Sequence, residues 1–328
     1  RWSDPMTFAR GNEARLLSRQ QASFGTAEAA ADGAFRLMPF YSYNVSPTGE
    51  LANDEAAYGD SMPGDVVAGL ENLTGSMTVP MGLNSIGWHL QQLFGDPVTT
   101  GTEDFSHVFN VPRQQVIRLR THGISHTGIN QHFVQDSLAM TGLELSGQKN
   151  GQRQRVTFNL AGRQEVGKPT TLDATPVQYA PDPVPVGFQA ALLMDGAVAG
   201  AVTQAALTLN SGIEPDQEAL NGLPTAAAMQ PGFWELSGTL GARFQDRVIY
   251  DLANTGGAFS LGFKWEISAT RSLEIVCPNV RLERTGVPVE GRGILSSSFN
   301  WRANRPADGA ELMTITLKNS TASYANPA

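Results

Sequence analysis

Three histidines lie within eleven residues and are the side chains in this chain best suited to metal chemistry: His122, His126 and His132. A structural zinc site takes four ligands, and no Cys or carboxylate pattern accompanies these three. We expect them on a strand and the following loop, where their spacing does not bring them together. The sequence therefore predicts no metal site and no cofactor.

Catalytic motifs are equally weak. Asp246 and Asp251 are both carboxylates near a predicted helix, where a cap and a solvated surface are better explanations than an acid/base pair. The segment Gly291-Arg-Gly293 lacks the third glycine and the strand-to-helix setting of a dinucleotide-binding loop. The chain contains no Gly-x-Ser-x-Gly turn and no Walker loop. We predict that the protein is not an enzyme.

The sequence contains a repeated segment with the pattern of a β-strand. The segment LTGSMTV at 73–79 reappears 163 residues later as LSGTLGA at 236–242. In both copies apolar residues or Gly alternate with Thr, Ser or Gly, which is typical of a strand with one buried face and one hydroxyl-rich face. The predicted buried positions are Leu73, Gly75, Met77, Leu236, Gly238 and Leu240. A duplicated β-rich chain without a catalytic cluster is better interpreted as an assembly subunit than as an enzyme.

Each repeated strand runs into a predicted helix. The first helix ends at Gly95, and its inward face includes Leu90 and Leu93. The second covers about 246–253, with Val248 and Leu252 directed inward. We expect one helix flanking two sheets in each unit, which is a mainly β class of tandem β-sandwich domains.

The predicted domain organisation has five parts. An N-terminal arm covers 1–35, and the first domain covers 36–168. A linker with five prolines follows at 169–187, then a second domain at 188–319 and a C-terminal tail at 320–328. Within the first domain, 46–65 is predicted to be an acidic loop and 116–121 a strand.

Composition supports a turn-rich β protein, with 34 Gly and 19 Pro among 328 residues. The single cysteine, Cys277, excludes an internal disulfide and indicates a reducing compartment. No apolar run approaches the roughly 18 residues that a membrane helix needs. We expect a soluble protein without a membrane partner.

Charge is distributed in blocks, although the net charge is only −8. The stretches 37–112 and 169–242 contain sixteen acids and no Lys or Arg, and bases are concentrated in the stretches that follow them. Such blocks can complement one another between subunits, or they can be two sides of solvated sheets. Both interpretations remain open from the sequence.

Several segments, in this order and spacing, resemble the major tail (tail tube) protein of long-tailed bacteriophages in its version with two tube domains. They are ARLLSRQQASFGT at 14–26, GSMTVP at 75–80 with the helix up to Gly95, HVFNV at 107–111, LNSGIEP at 209–215 and PGFWELSG at 231–238. The resemblance extends over both predicted domains and the arm.

The resemblance implies a structural virion protein that polymerises into stacked rings through which viral DNA passes without specific binding. Because two tube domains share one chain, it implies rings of three chains with pseudo-sixfold symmetry. It also implies contact with other tail proteins, such as the tape measure and the terminator. The protein would be located in the virion tail after assembly in the host cytoplasm. We further expect a net acidic channel wall that repels phosphates.

Two other functions remain open. One is a different ring-forming tail component, such as a baseplate or terminator protein. The other is a β-sandwich carbohydrate-binding module, in which Trp234, Trp265 and Trp301 would stack on sugars instead of filling sheet cores.

Overall fold

The computed structural model describes residues 8–56, 59, 61–62, 64–179, 181–287, 289, 292–307 and 309–327. The chain is mainly β, as the sequence predicts. Its α-helices in this described part are α1 (Ile86–Phe94) and α2 (Val248–Thr255). Short 3-10 turns cover Gly11–Glu13, Ala30–Asp32, Thr127–Ile129 and Gly187–Gln189.

The strands are numbered in chain order. They are β1 (Ala14–Gln20), β2 (Arg36–Met38), β3 (Ser42–Tyr43), β4 (Ser46–Asn53), β5 (Val66–Pro80), β6 (Val98–Thr100), β7 (Phe105–Asn110), β8 (Arg120–His126), β9 (Gln131–Gln148), β10 (Arg155–Gly162), β11 (Gln164–Lys168), β12 (Ala190–Met194), β13 (Ala197–Val198), β14 (Val202–Asn210), β15 (Glu214–Pro215), β16 (Met229–Gln230), β17 (Glu235–Arg243), β18 (Phe259–Ser268), β19 (Arg271–Leu282), β20 (Ser296–Ala303) and β21 (Thr314–Asn319).

One antiparallel sheet runs through both repeats. Its strand order is β4-β5-β10-β9-β14-β17-β20, and β20 also pairs with Val280–Leu282 at the end of β19. β5 and β17, which carry the sequence repeat, therefore occupy similar places in its two halves. The halves meet where β9 pairs with β14 from Gly142↔Asn210 to Gln148↔Gln204. We call this pairing the internal joint.

Two further groups of strands cover one face of this sheet. The first has the order β2-β1-β8-β9-β11, and the second has the order β13-β12-β18-β19-β21-β7-β6. β9 belongs to two sheets because it bends near Ser137, whose φ is 54°. The core between the layers is one continuous apolar cluster that contains residues of both repeats.

The arm predicted over 1–35 is wrong for residues 14–20. These form β1, which pairs with β2 and β8 in the body of the fold. Leu16 and Leu17 are adjacent, and both are 1% exposed. Leu16 faces the main core, whereas Leu17 lies near Leu172 of the segment predicted to be a linker. A strand covered on both faces has no alternating pattern, so its sequence does not indicate a strand.

The acidic loop predicted over 46–65 is also wrong in its first part. Ser46–Asn53 forms β4, which pairs with β5 as a ribbon, and all eight β4 residues are exposed. Exposure on both faces removes the alternation that would have identified the strand. Within the loop, residues 57, 58, 60 and 63 lie outside the described residues. The strand predicted at 116–121 begins only at Arg120.

The proline-rich segment 169–187 packs on the first repeat. Asp182 accepts hydrogen bonds from Ser85 Oγ (2.6 Å) and from the Asn84 backbone N–H (2.9 Å) at the start of α1. The C-terminal tail is also docked, because Tyr324 is 2% exposed and its hydroxyl accepts a bond from Asn319 Nδ2 (2.6 Å). The boundaries of the two predicted domains stay a prediction.

Candidate assembly and conduit surfaces

The seven-stranded sheet carries an uncovered polar face, opposite its buried face. We define the polar face by the outward side chains of β5, β10, β9, β14, β17 and β20, which are exposed or half-buried. Its uncharged members include Ser76, Thr78, Thr157, Asn159, Ser146, Thr208, Asn210, Ser237, Thr239, Ser298 and Asn300. Hydroxyl and amide groups therefore dominate a surface that crosses both repeats.

Neighbouring strands are matched in register across this face. One row of opposed residues runs through Thr78, Thr157, Glu144, Thr208, Ser237 and Arg302. Within it, the hydroxyls of Thr78 and Thr157 share a hydrogen bond of 2.9 Å. Asn159 Nδ2 donates to Glu144 Oε1 over 3.0 Å. These cross-strand bonds hold the side chains of the polar face against the sheet.

Charged side chains of both signs lie on the polar face. Its charged side chains are Glu144 and Glu235 with Arg155, Arg243 and Arg302. Arg302 Nε donates to Glu283 Oε1 (3.2 Å), which places a further carboxylate beside it. Arg155 stacks over the Tyr41 ring at 4.0 Å from its centroid. The acids of the base-free stretches lie mostly elsewhere; Asp96 and Asp104, for example, pair with Arg118 and Arg271. The polar face is consequently close to neutral.

The buried side of the repeat contains the predicted core positions. Leu73, Met77, Leu236 and Leu240 are at most 3% exposed. Gly75 and Gly238 are half-buried; Gly75 lies against a carbonyl of the link between β3 and β4, and Gly238 lies against a carbonyl of β14. A Cβ on Gly75 would overlap Asn44 O, and one on Gly238 would overlap Ala206 O. The two glycines thus occupy equivalent close approaches in the two repeats.

The two helices differ in burial. All nine residues of α1 are buried, including Leu90 and Leu93. In α2, Leu252 is half-buried and packs against the core, but Val248 is 61% exposed. The inward position predicted for Val248 is wrong. α2 begins there, and the Val248 backbone N–H donates to Asp246 Oδ1 (3.0 Å), so this residue belongs to the exposed first turn.

Buried cationic side chains form a cluster around α1, and this cluster was not predicted from the sequence. The Arg120 guanidinium is 3.9 Å from the Trp88 ring centroid, and that of Arg36 is 4.9 Å from the same ring and 4.5 Å from the Tyr179 ring. Burial lowers the pKa of Arg120 well below its usual value. Arg36 Nη2 donates to Ala325 O (3.1 Å), which ties the C-terminal tail to this cluster. Only tertiary contacts bring these residues together, and no local spacing indicates them.

The histidines occupy separate environments. His122 is 1% exposed, and its Nδ1 lies 3.0 Å from the Tyr43 hydroxyl. Burial lowers the His122 pKa to about 3, so the ring is neutral. His132 Nδ1 lies 2.9 Å from Ser125 Oγ, and His126 packs edge-on against Phe133. Among the described residues, no group of three or more His, Cys, Asp or Glu side chains could hold a metal ion.

The other candidate groups have structural surroundings. Asp251 pairs with Arg247 at 3.1 Å on the surface of α2. Trp265 and Trp301 are at most 1% exposed, so neither can stack on a sugar at the surface. Trp234 is partly buried, stacks on Phe94 and donates from Nε1 to Pro112 O (3.1 Å). Gly291 lies outside the described residues. No helix in the described ranges is long and apolar enough to cross a membrane.

The ribbon of β4 and β5 carries exposed apolar side chains beside the polar face. Leu51 is 68% exposed, Val67 is 64% exposed and Leu70 is 52% exposed. Exposed apolar side chains on a two-stranded ribbon are typical of a surface that contacts another chain. This ribbon was not predicted from the sequence, which indicated a loop over 46–65.

The comparison with known families agrees with this architecture. The model of the family described as "Phage tail tube protein" matches residues 11–303. No curated protein matches the sequence significantly. The match covers both repeats, the internal joint and the polar face, and the protein belongs to the phage tail tube protein family.

Proposed function

We propose that this chain polymerises into stacked rings that form the tail tube, the conduit for viral DNA during ejection. The observation that carries the proposal is the single sheet that crosses both repeats and presents one polar face. At one end of this sheet β4 has an outer edge, and at the other end the outer edge belongs to the end of β19 and the residues after it, which lie beside β20. Closing it into a ring satisfies both ends and leaves the polar face on the inside.

The repeat supports a ring of three chains. β5 and β17 have similar neighbours, and the internal joint pairs the two repeats side by side, which supports two tube units in one chain. Three such chains would supply six units with pseudo-sixfold symmetry. The contact between chains is heterologous, and such contacts form closed rings only when the rotation closes.

The chemistry of the polar face suits passage of DNA. A duplex carries about one negative charge per 1.7 Å of its axis, and basic surfaces bind it with strong salt dependence. Hydroxyl and amide groups add no net charge, while two glutamates and Glu283 oppose the three arginines on and beside the face. In this proposal, DNA slides past the wall without a specific site.

Stacking of rings is assigned to the β4–β5 ribbon. Its exposed apolar residues, Leu51, Val67 and Leu70, would be buried against the adjacent ring. Contacts with the tape measure and terminator proteins would follow at the inside and at the end of the tube. Assembly would take place in the host cytoplasm, where the buried Cys277 stays a thiol.

Electron microscopy of the purified full chain tests this function. Regular hollow tubes are the expected result at high protein concentration. A triple variant, Leu51→Ser/Val67→Ser/Leu70→Ser, should give rings that fail to stack, because only the ribbon changes. Single rings from the unmodified chain would instead indicate a terminator or baseplate component. Monomers at all concentrations, without tubes or rings, would contradict the proposal.

A further inference from the structure

The internal joint provides a template for the contact between chains. In the first repeat, the central strand β10 pairs with β9, and the other edge of β9 receives β14 of the second repeat. The same parts recur in the second repeat. β10 and β20 are the equivalent central strands. Phe158 and Asn159 lie opposite Met77 and Ser76 of β5, and Phe299-Asn300 lies opposite the corresponding residues of β17.

The neighbour of β20 is an incomplete strand. In the first repeat, Gly142 lies opposite Asn159, and β9 continues to Gln148 between β10 and β14. In the second repeat, β19 pairs with β20 up to Leu282, and residues 283–287 continue beside β20 without forming a regular strand. The Glu283 backbone N–H donates to Asn300 O (2.8 Å). We call residues 283–287 the edge segment; it has a partner strand on one side only among the described residues.

Ser297 fixes the other end of the edge segment, because its Oγ donates to Gly286 O over 3.0 Å. The alignment of Glu283 with Asn300 makes Glu283 equivalent to Gly142. Counting two residues further along each of the two segments makes Thr285 equivalent to Glu144. Thr285 is half-buried, and Glu283 and Gly286 are exposed, so this edge is accessible to a second chain.

At the opposite end of the sheet, β3 and β4 pair with β5 in the way that β14 pairs with β17. Gly75 and Gly238, which are equivalent in the sequence repeat, approach Asn44 O and Ala206 O. Asn44 is therefore equivalent to Ala206, and Ser46 is equivalent to Thr208 two residues later. Among the described residues, β3 and β4 pair only with β5, so their outer edge is open to another strand.

We propose that in the ring the edge segment of one copy pairs antiparallel with the β3–β4 edge of the next copy, with Thr285 opposite Ser46. This inference rests on the proposed function and specifies its contact between chains. The register is that of the internal joint, in which Glu144 lies opposite Thr208. The edge segment becomes a full strand when this pairing forms.

Two residues make this contact different from the internal joint. Pro47 is equivalent to Leu209 and has no N–H, so one ladder bond is missing. The Val45 carbonyl already accepts a bond from Gln135 Nε2 (2.9 Å), and its second lone pair remains for the edge segment. A proline on an exposed edge also opposes indiscriminate pairing before assembly.

Disulfide trapping in assembled tubes tests the register. The full-length double variant Ser46→Cys/Thr285→Cys should form crosslinks between chains on oxidation, up to a covalent trimer and no larger. Thr285 and Ser46 would form a pair without mutual backbone bonds, whose close Cβ atoms suit a disulfide. The native Cys277 is buried and does not compete.

Two matched variants control the experiment. Glu144→Cys/Thr208→Cys, at the internal joint, should crosslink within one chain and leave the mass unchanged. Ser46→Cys/Arg284→Cys, one residue out of register, should crosslink at least tenfold less. Normal tubes in which the Ser46/Thr285 pair crosslinks no better than the Ser46/Arg284 pair would overturn the register while the tube function stands.

If the double variant assembles poorly, a mixture of the two single variants tests the same contact. Tubes made from equal amounts of Ser46→Cys chains and Thr285→Cys chains should give dimers only, because each chain has one engineered thiol. Absence of dimers from such tubes would also overturn the register. If the unmodified chain forms neither rings nor tubes, the proposed function fails, and the register fails with it.

Discussion

Glu144 and Thr208 lie opposite each other where β9 pairs with β14, and this pair joins the two repeats in one sheet. Their side chains are exposed on the polar face, while the alternate residues Leu143, Leu145 and Leu207 are buried beneath them. The two repeats therefore share one hydrogen-bonded sheet and one apolar core. We expect the chain to unfold as a single cooperative unit.

Gly75→Ala tests the close approach of the repeated strands. The new Cβ would overlap Asn44 O, and the φ of Gly75 is 156°, a value that L-residues rarely adopt. We expect the free energy of unfolding to fall by about 1–3 kcal/mol, measured by chemical denaturation. Gly167→Ala on β11 is the control, since nothing lies within 4 Å of its Cβ position. Equal stability of both variants would contradict the packing described for Gly75.

Leu90→Ala and Val248→Ala separate the two helices. Leu90 is 2% exposed, so its truncation should lower the free energy of unfolding by about 2–5 kcal/mol. Val248 is 61% exposed, and its truncation should change stability by less than about 0.5 kcal/mol. Thermal and chemical denaturation measure both. A near-neutral Leu90→Ala would show that α1 is not a core element.

The sequence predicts β5 and β17 well because each has one buried and one open face. It fails for β1, which is covered on both faces, and for β4, which is exposed on both. The packing of Arg36 and Arg120 on Trp88 depends on contacts between distant segments, which local spacing cannot reveal. The polar face is predictable in its hydroxyl content, but its charge depends on which strands meet at the internal joint.

His122 makes stability depend on pH. Its pKa is about 3 in the folded chain because of burial, against an ordinary value of 6.5. Between these values the unfolded chain binds more protons, so stability falls as the pH drops below about 6.5, by up to about 1.4 kcal/mol per pH unit. His122→Gln should reduce the loss measured between pH 7 and pH 4.5. His126→Gln is the control, and an unchanged loss in His122→Gln would refute this assignment.

Charge on the polar face should control affinity for DNA. Tubes of the unmodified chain should show no measurable binding of short duplexes at physiological salt. Thr157→Lys/Thr208→Lys/Thr239→Lys should create binding that weakens as salt rises, because released counterions drive it. The same three positions changed to Glu provide the control and should not bind. Strong, salt-sensitive binding by unmodified tubes would contradict a near-neutral conduit.

Cryo-electron microscopy of assembled tubes will determine how many chains form each ring and which surface lines the lumen. We expect rings of three chains, with six tube units per ring and the row from Thr78 to Arg302 facing the lumen. Rings of six whole chains with one repeat projecting outward, or a lumen lined by another surface, would contradict this assembly.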